Sequence, residues 1–124
     1  MAQTIPVYIN GDTIRSTSIP NGSESTAAAI TTSSGAITQG LLIGVHGKLA
    51  SHSGAVIVRV YSDEAKTLEI YKTTLTFTDP ATNLSDLMTQ PVPFFETPYF
   101  TVEGDATSGT KNFDSTFYVQ AVRF

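Results

Sequence analysis

Residues 55–61 read Ala-Val-Ile-Val-Arg-Val-Tyr, and no other stretch restricts the fold of this chain so tightly. Val56, Val58 and Val60 fall on one parity, and Ile57, Arg59 and Tyr61 on the other. A period of two built on β-branched residues is a strand, because successive side chains leave a pleated backbone on opposite sides and branched Cβ atoms pack well there. The second parity carries one charge between Ile57 and Tyr61 rather than a polar row. A strand apolar on both sides is central in its sheet or meets something else with its outer side.

The rest of the chain repeats the theme. Residues 4–9 alternate, with Ile5, Val7 and Ile9 on one side and Thr4, Pro6 and Tyr8 on the other, and Asn10-Gly11 follows. Asn-Gly accepts positive φ at both positions of a type I′ turn, so it predicts a hairpin, with residues 12–19 as a Ser/Thr-rich return strand at a sheet edge. Pro20-Asn21-Gly22-Ser23 is a turn, and residues 27–35 read as a short strand. Residues 40–49 are a strand with Leu41, Ile43, Val45 and Leu49 on one face, where Gly44 and Gly47 leave room for a bulge or a close neighbour. Residues 62–67 are a polar connection. In residues 68–77 the apolar parity changes from Leu68 and Ile70 to Tyr71, Leu75 and Phe77, which requires an irregularity near Tyr71. Residues 83–88 read as a short helical turn with a polar cap. Residues 90–98, with Pro91, Pro93 and Pro98 around Val92, Phe94 and Phe95, form an extended edge or crossover segment. Residues 99–103 are a strand with Phe100 and Val102 inward, residues 104–112 a polar loop, and residues 115–124 a last strand. That last strand places Phe117, Val119 and Ala121 on one face and Tyr118, Val122 and Phe124 on the other.

Many short strands with turn signals about every ten residues mean a sandwich or barrel. The expected fold is all-β: a two-sheet antiparallel β-sandwich, jelly-roll-like, of about eight strands. At 124 residues the chain is expected to be a single domain, residues 1–124, with residues 1–6 as a candidate N-terminal arm.

Composition removes several functions. The chain has no Cys, which excludes disulfides and Cys-ligated metal centres. Its net charge of −4 lacks basic blocks and argues against nucleic acid, whose affinity comes from neutralising phosphates. No run reaches the length of a transmembrane helix, so no membrane partner is expected. Residues 1–6 lack the basic and apolar regions of a signal peptide, which predicts synthesis in a cytoplasm without a secretory step.

Chemistry-bearing residues are sparse. His46 on a strand and His52 in a loop have no His-x-His or His-x-x-x-His spacing. Asp63, Glu64 and Asp79 sit in turns without the Asp-x-Asp-x-Asp-Gly run of a calcium loop. Glu69, Glu96 and Glu103 are carboxylates for which spacing shows no facing pair. Nucleophile elbows and phosphate loops are missing. Asn21-Gly22-Ser23 and Asn83-Leu84-Ser85 match the glycosylation pattern and read as chance matches at turns. No enzyme, metal or cofactor is expected.

The informative feature is the second apolar side. Ile57, Tyr61, Tyr118, Val122 and Phe124 point away from the expected core, and with Ile5 and Tyr8 they form a candidate interface with a second copy or a larger shell. The alternative is that the same residues reach the core at bends in irregular sheets. In a closed oligomer such a strip lines a rotation axis.

Taken together, the short extended N-terminal segment (residues 2–9), the Thr/Ser-rich strands, the lack of Cys, the Pro-Phe-rich segment (residues 91–98) and the final strand ending at Phe124 give an architecture that resembles the small jelly-roll decoration, or cement, proteins of tailed-phage capsids. The resemblance implies a homotrimer on the virion capsid surface. It would bind the major capsid protein and stabilise the assembled shell, attached through residues 2–6 or the base of the trimer, with no catalytic residues. A carbohydrate- or receptor-binding sandwich is the competing expectation, with Tyr8, Tyr61, Tyr71, Tyr99 or Tyr118 as stacking platforms and the lack of Trp against it. A small β-sandwich enzyme is the third.

Overall fold

The computed structural model describes residues 3–10, 15–19, 22–32, 35–36, 38–49, 54–78, 83–104 and 111–123. The strands are Gln3–Asn10 (β1), Arg15–Ile19 (β2), Ala28–Ala29 (β3), Thr31–Thr32 (β4), Gly35–Ala36 (β5), Gly40–Leu49 (β6), Gly54–Tyr61 (β7), Glu69–Phe77 (β8), Asn83–Phe94 (β9), Tyr99–Gly104 (β10) and Lys111–Arg123 (β11). One sheet runs β1-β11-β6-β9, with β2 also on β11, and a second runs β3-β10-β7-β8. All pairings between these strands are antiparallel, and β4 and β5 make a separate small hairpin.

β1 and β2 lie end to end along one edge of β11, since Asn10 is opposite Tyr118 and Arg15 opposite Ser115. Taken as one edge strand, and with the β4–β5 hairpin set aside, they leave eight strands. Their order is first-eighth-third-sixth in one sheet and second-seventh-fourth-fifth in the other. That is jelly-roll order, so the expected all-β, two-sheet sandwich is the fold of the chain. The hairpin expected at Asn10-Gly11 is not formed between β1 and β2. Both strands run in the same direction beside one partner, so residues 11–14 connect two collinear segments, and long-range pairing with β11 overrides the local turn preference.

The core lies between the two sheets. Val56, Val58 and Val60 are wholly buried and share the inner side of β7, as their spacing requires. Burial of a side chain of this size is worth roughly 1.5–3 kcal/mol. Phe100 and Val102 of β10, Leu75 and Phe77 of β8, and Phe113, Phe117 and Val119 of β11 complete the layer. Two aromatic contacts tie the sheets together: Phe100 on Phe117 with centroids 4.8 Å apart, and the edge of Phe77 on Phe113 at 6.2 Å.

On β6 the expected inner face is corrected. Leu42, Val45 and Leu49 are buried, whereas Leu41 and Ile43 lie on the outer side. The register slips between Leu42 and Gly44 on both sides: against β11, Tyr118 is opposite Gly44 but Val119 is opposite Leu42, whereas against β9 four residues, 88–91, face Ile43 alone. Ile43 is thus an extra residue, a bulge beside Gly44, and it reverses which residues face inward. The second expected irregularity is present in β8: Val60 pairs with Tyr71 and Tyr61 with Glu69, leaving Ile70 over.

Residues 83–88 are corrected from a helical turn to the start of β9. There Leu84, Asp86 and Met88 are half-buried and Ser85, Leu87 and Thr89 exposed, a period of two imposed by pairing with β6. Of the two Phe expected to anchor the Pro-rich segment, Phe94 is buried and Phe95 is 70% exposed.

Gly47 faces the core, and a Cβ there would run into the ring of Phe113, which is already held by Phe77, and crowd Leu75. Overpacking of this kind costs about 1–3 kcal/mol. We expect Gly47→Ala to lose that much in chemical denaturation, and less when introduced into a Phe113→Leu background. Equal losses in the two backgrounds would show that the ring does not set the requirement.

Candidate functional site

The outer sides of the two sheets differ in chemistry. On the β7 sheet the outward row is polar and closed on itself. Arg59 Nη1 donates to Glu103 Oε1 at 2.8 Å, and its Nε lies 3.5 Å from Glu69 Oε1. Two of the three carboxylates considered for acid–base work therefore share one guanidinium, and Glu96 stands apart from them on a groove described below. Next to this pair Glu24 Oε2 accepts hydrogen bonds from the Tyr61 hydroxyl at 2.8 Å and the Thr101 hydroxyl at 2.7 Å, and Lys66 Nζ is 3.7 Å away. Burial alone would raise the Glu24 pKa. The bonds from Thr101 and Tyr61 and the charges of Lys66 and Arg59 outweigh it and hold the carboxyl below its usual range.

Lys66 is aimed at Glu24 by a tight turn. Its φ of 60° is left-handed. Asp63 fixes that turn by accepting the Thr67 amide at 2.9 Å and the Thr67 hydroxyl at 2.7 Å. Asp63, considered as part of an acidic pair, thus serves as a turn cap.

The outer side of the other sheet is apolar at its centre, and the β6 bulge makes it so. Gly44 has no side chain, and a Cβ there would strike the Asp86 carbonyl and Leu87. Over this bare position Ile43 of β6, Leu87 of β9 and Tyr118 of β11 enclose a shallow depression of about 310 Å³, with Ser85 at its rim. Leu87 is 64% exposed. His46 Nδ1 is 2.6 Å from Ser85 Oγ, so this imidazole is engaged with a neighbouring strand. The depression has no carboxylate or cation in its lining, so its chemistry is that of a contact surface: it gains free energy by losing water from apolar area.

A second apolar groove, of about 510 Å³, opens between β8 and β9 where Leu68, Ile70, Pro93 and Phe95 meet, with Glu96 at its border. Deeper in the same edge the Tyr71 hydroxyl donates to Asp86, tying the β8 edge of one sheet to the β9 edge of the other. Burial, then the bond to Asp86, raises the Tyr71 pKa well above its ordinary value of 10. Tyr61 is raised by burial and by its bond to Glu24.

The candidate interface residues do not come together as one strip. Tyr118 is on the outer side of β11, while Ile57 and Tyr61 are on the outer side of β7, across the sandwich. Ile57 is half-buried beside Glu103 and Thr74. Tyr61 is 8% exposed under Glu24 and is not a free surface. The Tyr8 backbone pairs opposite Gln120; its side chain, those of Ile5 and Val122, and Phe124 as a whole lie outside the described residues, as do residues 1 and 2 of the candidate arm and His52. Of the tyrosines considered as stacking platforms, Tyr61 and Tyr71 are turned into hydrogen bonds, and Tyr99 is half-buried with Glu64 at its hydroxyl. Ile43, Ser85 and Leu87 belong to the depression although the sequence pattern assigned Ile43 to the core and the other two to a helical turn; the one pointer to them was Gly44 as a bulge position. Among the described residues no group of three or more His, Asp or Glu is placed to hold a metal ion. The chain matches no family model, no curated protein and no solved structure.

Both tyrosine pKa values are raised in the folded chain, so the protonated hydroxyls contribute stability that is complete below the unfolded value near 10 and is lost as pH rises through the folded values. We expect unfolding free energy to fall above about pH 10 and Tyr71→Phe to make that fall shallower. At pH 7 the same substitution should cost about 1.5–3 kcal/mol, the usual worth of a hydrogen bond to a charged group. A slope above pH 10 identical in Tyr71→Phe would remove Tyr71 from this account.

Proposed function

We propose that this chain is a non-enzymatic structural protein of a virion: a capsid decoration, or cement, protein that acts as a homotrimer, binds the major capsid protein on the outer surface of an assembled shell and stabilises it. In this reading it is made in the host cytoplasm and needs no cofactor. One observation carries the reading: an apolar depression of Ile43, Leu87 and Tyr118 on the outer side of a jelly-roll sheet, with no catalytic group in its lining. Leu87 stands 64% exposed there, between the half-buried Asp86 and Met88. Large apolar side chains kept at the centre of a sheet face favour an interface over a solvated surface.

The mechanism is linkage. A protein that binds the closed shell and not its dissociated subunits shifts the assembly equilibrium toward the shell by mass action. Three copies held together add avidity, so a shallow contact from each is enough. The inward turn of Tyr61 and Tyr71 weakens the carbohydrate-binding alternative by removing two of its stacking platforms.

Light scattering on the purified protein should give three times the 13.2 kDa of the chain, and the protein should co-sediment with empty capsids. Leu87→Asp should leave the unfolding free energy of the monomer within about 0.5 kcal/mol of the wild-type monomer's, as exposed substitutions do, and abolish either the trimer or the co-sedimentation. A monomer that ignores capsids and binds sugars on a glycan array overturns the proposal.

A further inference from the structure

Residues 22–29 run along the outer edge of β10 and are held there in an unusual way. The Gly22 amide donates to the Gly104 carbonyl at 3.3 Å, the Ser25 amide to the Val102 carbonyl at 2.8 Å, and Ala28 pairs with Phe100. Three residues of this segment advance for every two of β10, so a regular ladder is impossible. Ser25 makes up the deficit, because its hydroxyl accepts the Val102 amide at 2.9 Å in place of a backbone carbonyl. The edge is thus closed by backbone and side-chain bonds together.

The strongest of those side-chain ties is Glu24. Its carboxylate reaches over β10 to Thr101, which is fully buried beneath it, and on to Tyr61 of β7. Charge-assisted bonds of this kind are about twice as strong as neutral ones. At its far end the segment is anchored by Ile30, 2% exposed in the core, whose amide donates to the Pro98 carbonyl at 2.9 Å; Ile19, 3% exposed, anchors the chain before it. Between these fixed points Glu24 supplies the one ionised tie, added to the backbone bonds of Gly22 and Ser25 and the Ser25 hydroxyl.

We propose that residues 22–29 form an acid-released latch on the β10 edge, closed while Glu24 is ionised and opened, separately from the core, when Glu24 is protonated. The groups facing Glu24 are Tyr61 and Arg59 from β7, Thr101 from β10, and Glu64 and Lys66 from the β7–β8 turn. Arg59 is itself engaged by Glu103 and Glu69, and Asp63 holds the turn that carries Lys66. His46 pairs with Ser85 on the opposite sheet, so the switch lies in the carboxylate range. A carboxyl held below its ordinary value of 4.5 stabilises the closed form above that value, and the contribution is lost as pH falls through the folded value. Opening bares the Val102 amide and carbonyl and the Gly104 carbonyl, which turns a closed strand edge into an open one.

Hydrogen exchange corrected for the intrinsic rate tests this on the full chain. Protection of the Ser25 and Val102 amides should fall severalfold, toward a limit of about tenfold, between pH 7 and pH 3.5, while β7 amides such as Val58 keep theirs. Glu24→Gln should show the lowered protection already at pH 7 and little further change in acid. Asp63→Asn should keep the wild-type pH dependence. Should Glu24→Gln not fold, Thr101→Val, which removes one donor to the carboxylate, should lower Ser25 protection at pH 7. The latch is overturned if wild-type protection does not fall in acid, if it falls together with that of β7, or if Glu24→Gln behaves as wild type.

Discussion

The extra residue at Ile43 decides more of this molecule than any other single position. A strand shows one set of side chains to each side, and inserting one residue exchanges the sets. Before the bulge Leu42 faces the core; after it Val45, Gly47 and Leu49 do. Without the exchange the inward position beyond Leu42 would be Gly44, and the core would lack Val45 where Phe117 pairs with it. The bulge also sets Ile43 beside a bare glycine on the outer side, so that Leu87 and Tyr118 converge there. Core and candidate contact surface are thus two consequences of one local irregularity.

How far the sequence could be read follows from the same physics. Val56, Val58 and Val60 show their face plainly because β7 is regular up to Tyr61, and both its neighbours pair with it in simple register over that span. The inward set of β10 and the Phe117–Val119 side of β11 are legible for the same reason. Gly44 and the parity change near Tyr71 were visible as places where a strand must be irregular, but an irregularity seen from sequence has no sign. Whether Leu41 and Ile43 or Leu42 and Val45 face the core depends on where the extra residue falls, and that is fixed by β9 and β11, far away in the chain. Residues 83–88 look helical in sequence because Asn83 and Ser85 satisfy a helix cap as well as the exposed parity of an edge strand, while Asp86 sits on the half-buried parity. Asn10-Gly11 was misread because a turn preference of local origin competes with two segments pairing on β11, and the longer ladder wins.

The two outer sides also separate the two kinds of apolar leftover that the sequence presents as one. Tyr61 has a large ring and a polar end, and the fold uses both: the ring is covered by the 22–29 segment and the hydroxyl completes the Glu24 cluster. Tyr71, on the neighbouring strand β8, is used in the same manner, its hydroxyl bridging to Asp86 of β9. An aromatic of this type on an outward or edge parity is therefore weak grounds for an interface until its hydroxyl has been traced. Leu87 has no such second role. It has no polar end to satisfy, it stands exposed, and its strand neighbours Asp86 and Ser85 are already engaged with Tyr71 and His46.

This difference bears on where a partner would sit. The side closed by Arg59, Glu103, Glu69 and Glu24 has already exchanged water for internal partners, so covering it again would strip the remaining hydration from paired charges at little gain. The side carrying Ile43, Leu87 and Tyr118 has not, and apolar area is the one surface component whose burial is favourable without matched geometry. Any partner that approaches the β6–β11 side gains from desolvation first and needs only a polar rim for register, which Ser85, His46 and the adjacent Gln120 can supply. The asymmetry between the two sides thus gives the sandwich an orientation: one side is closed on itself, and the other keeps apolar area whose burial is favourable.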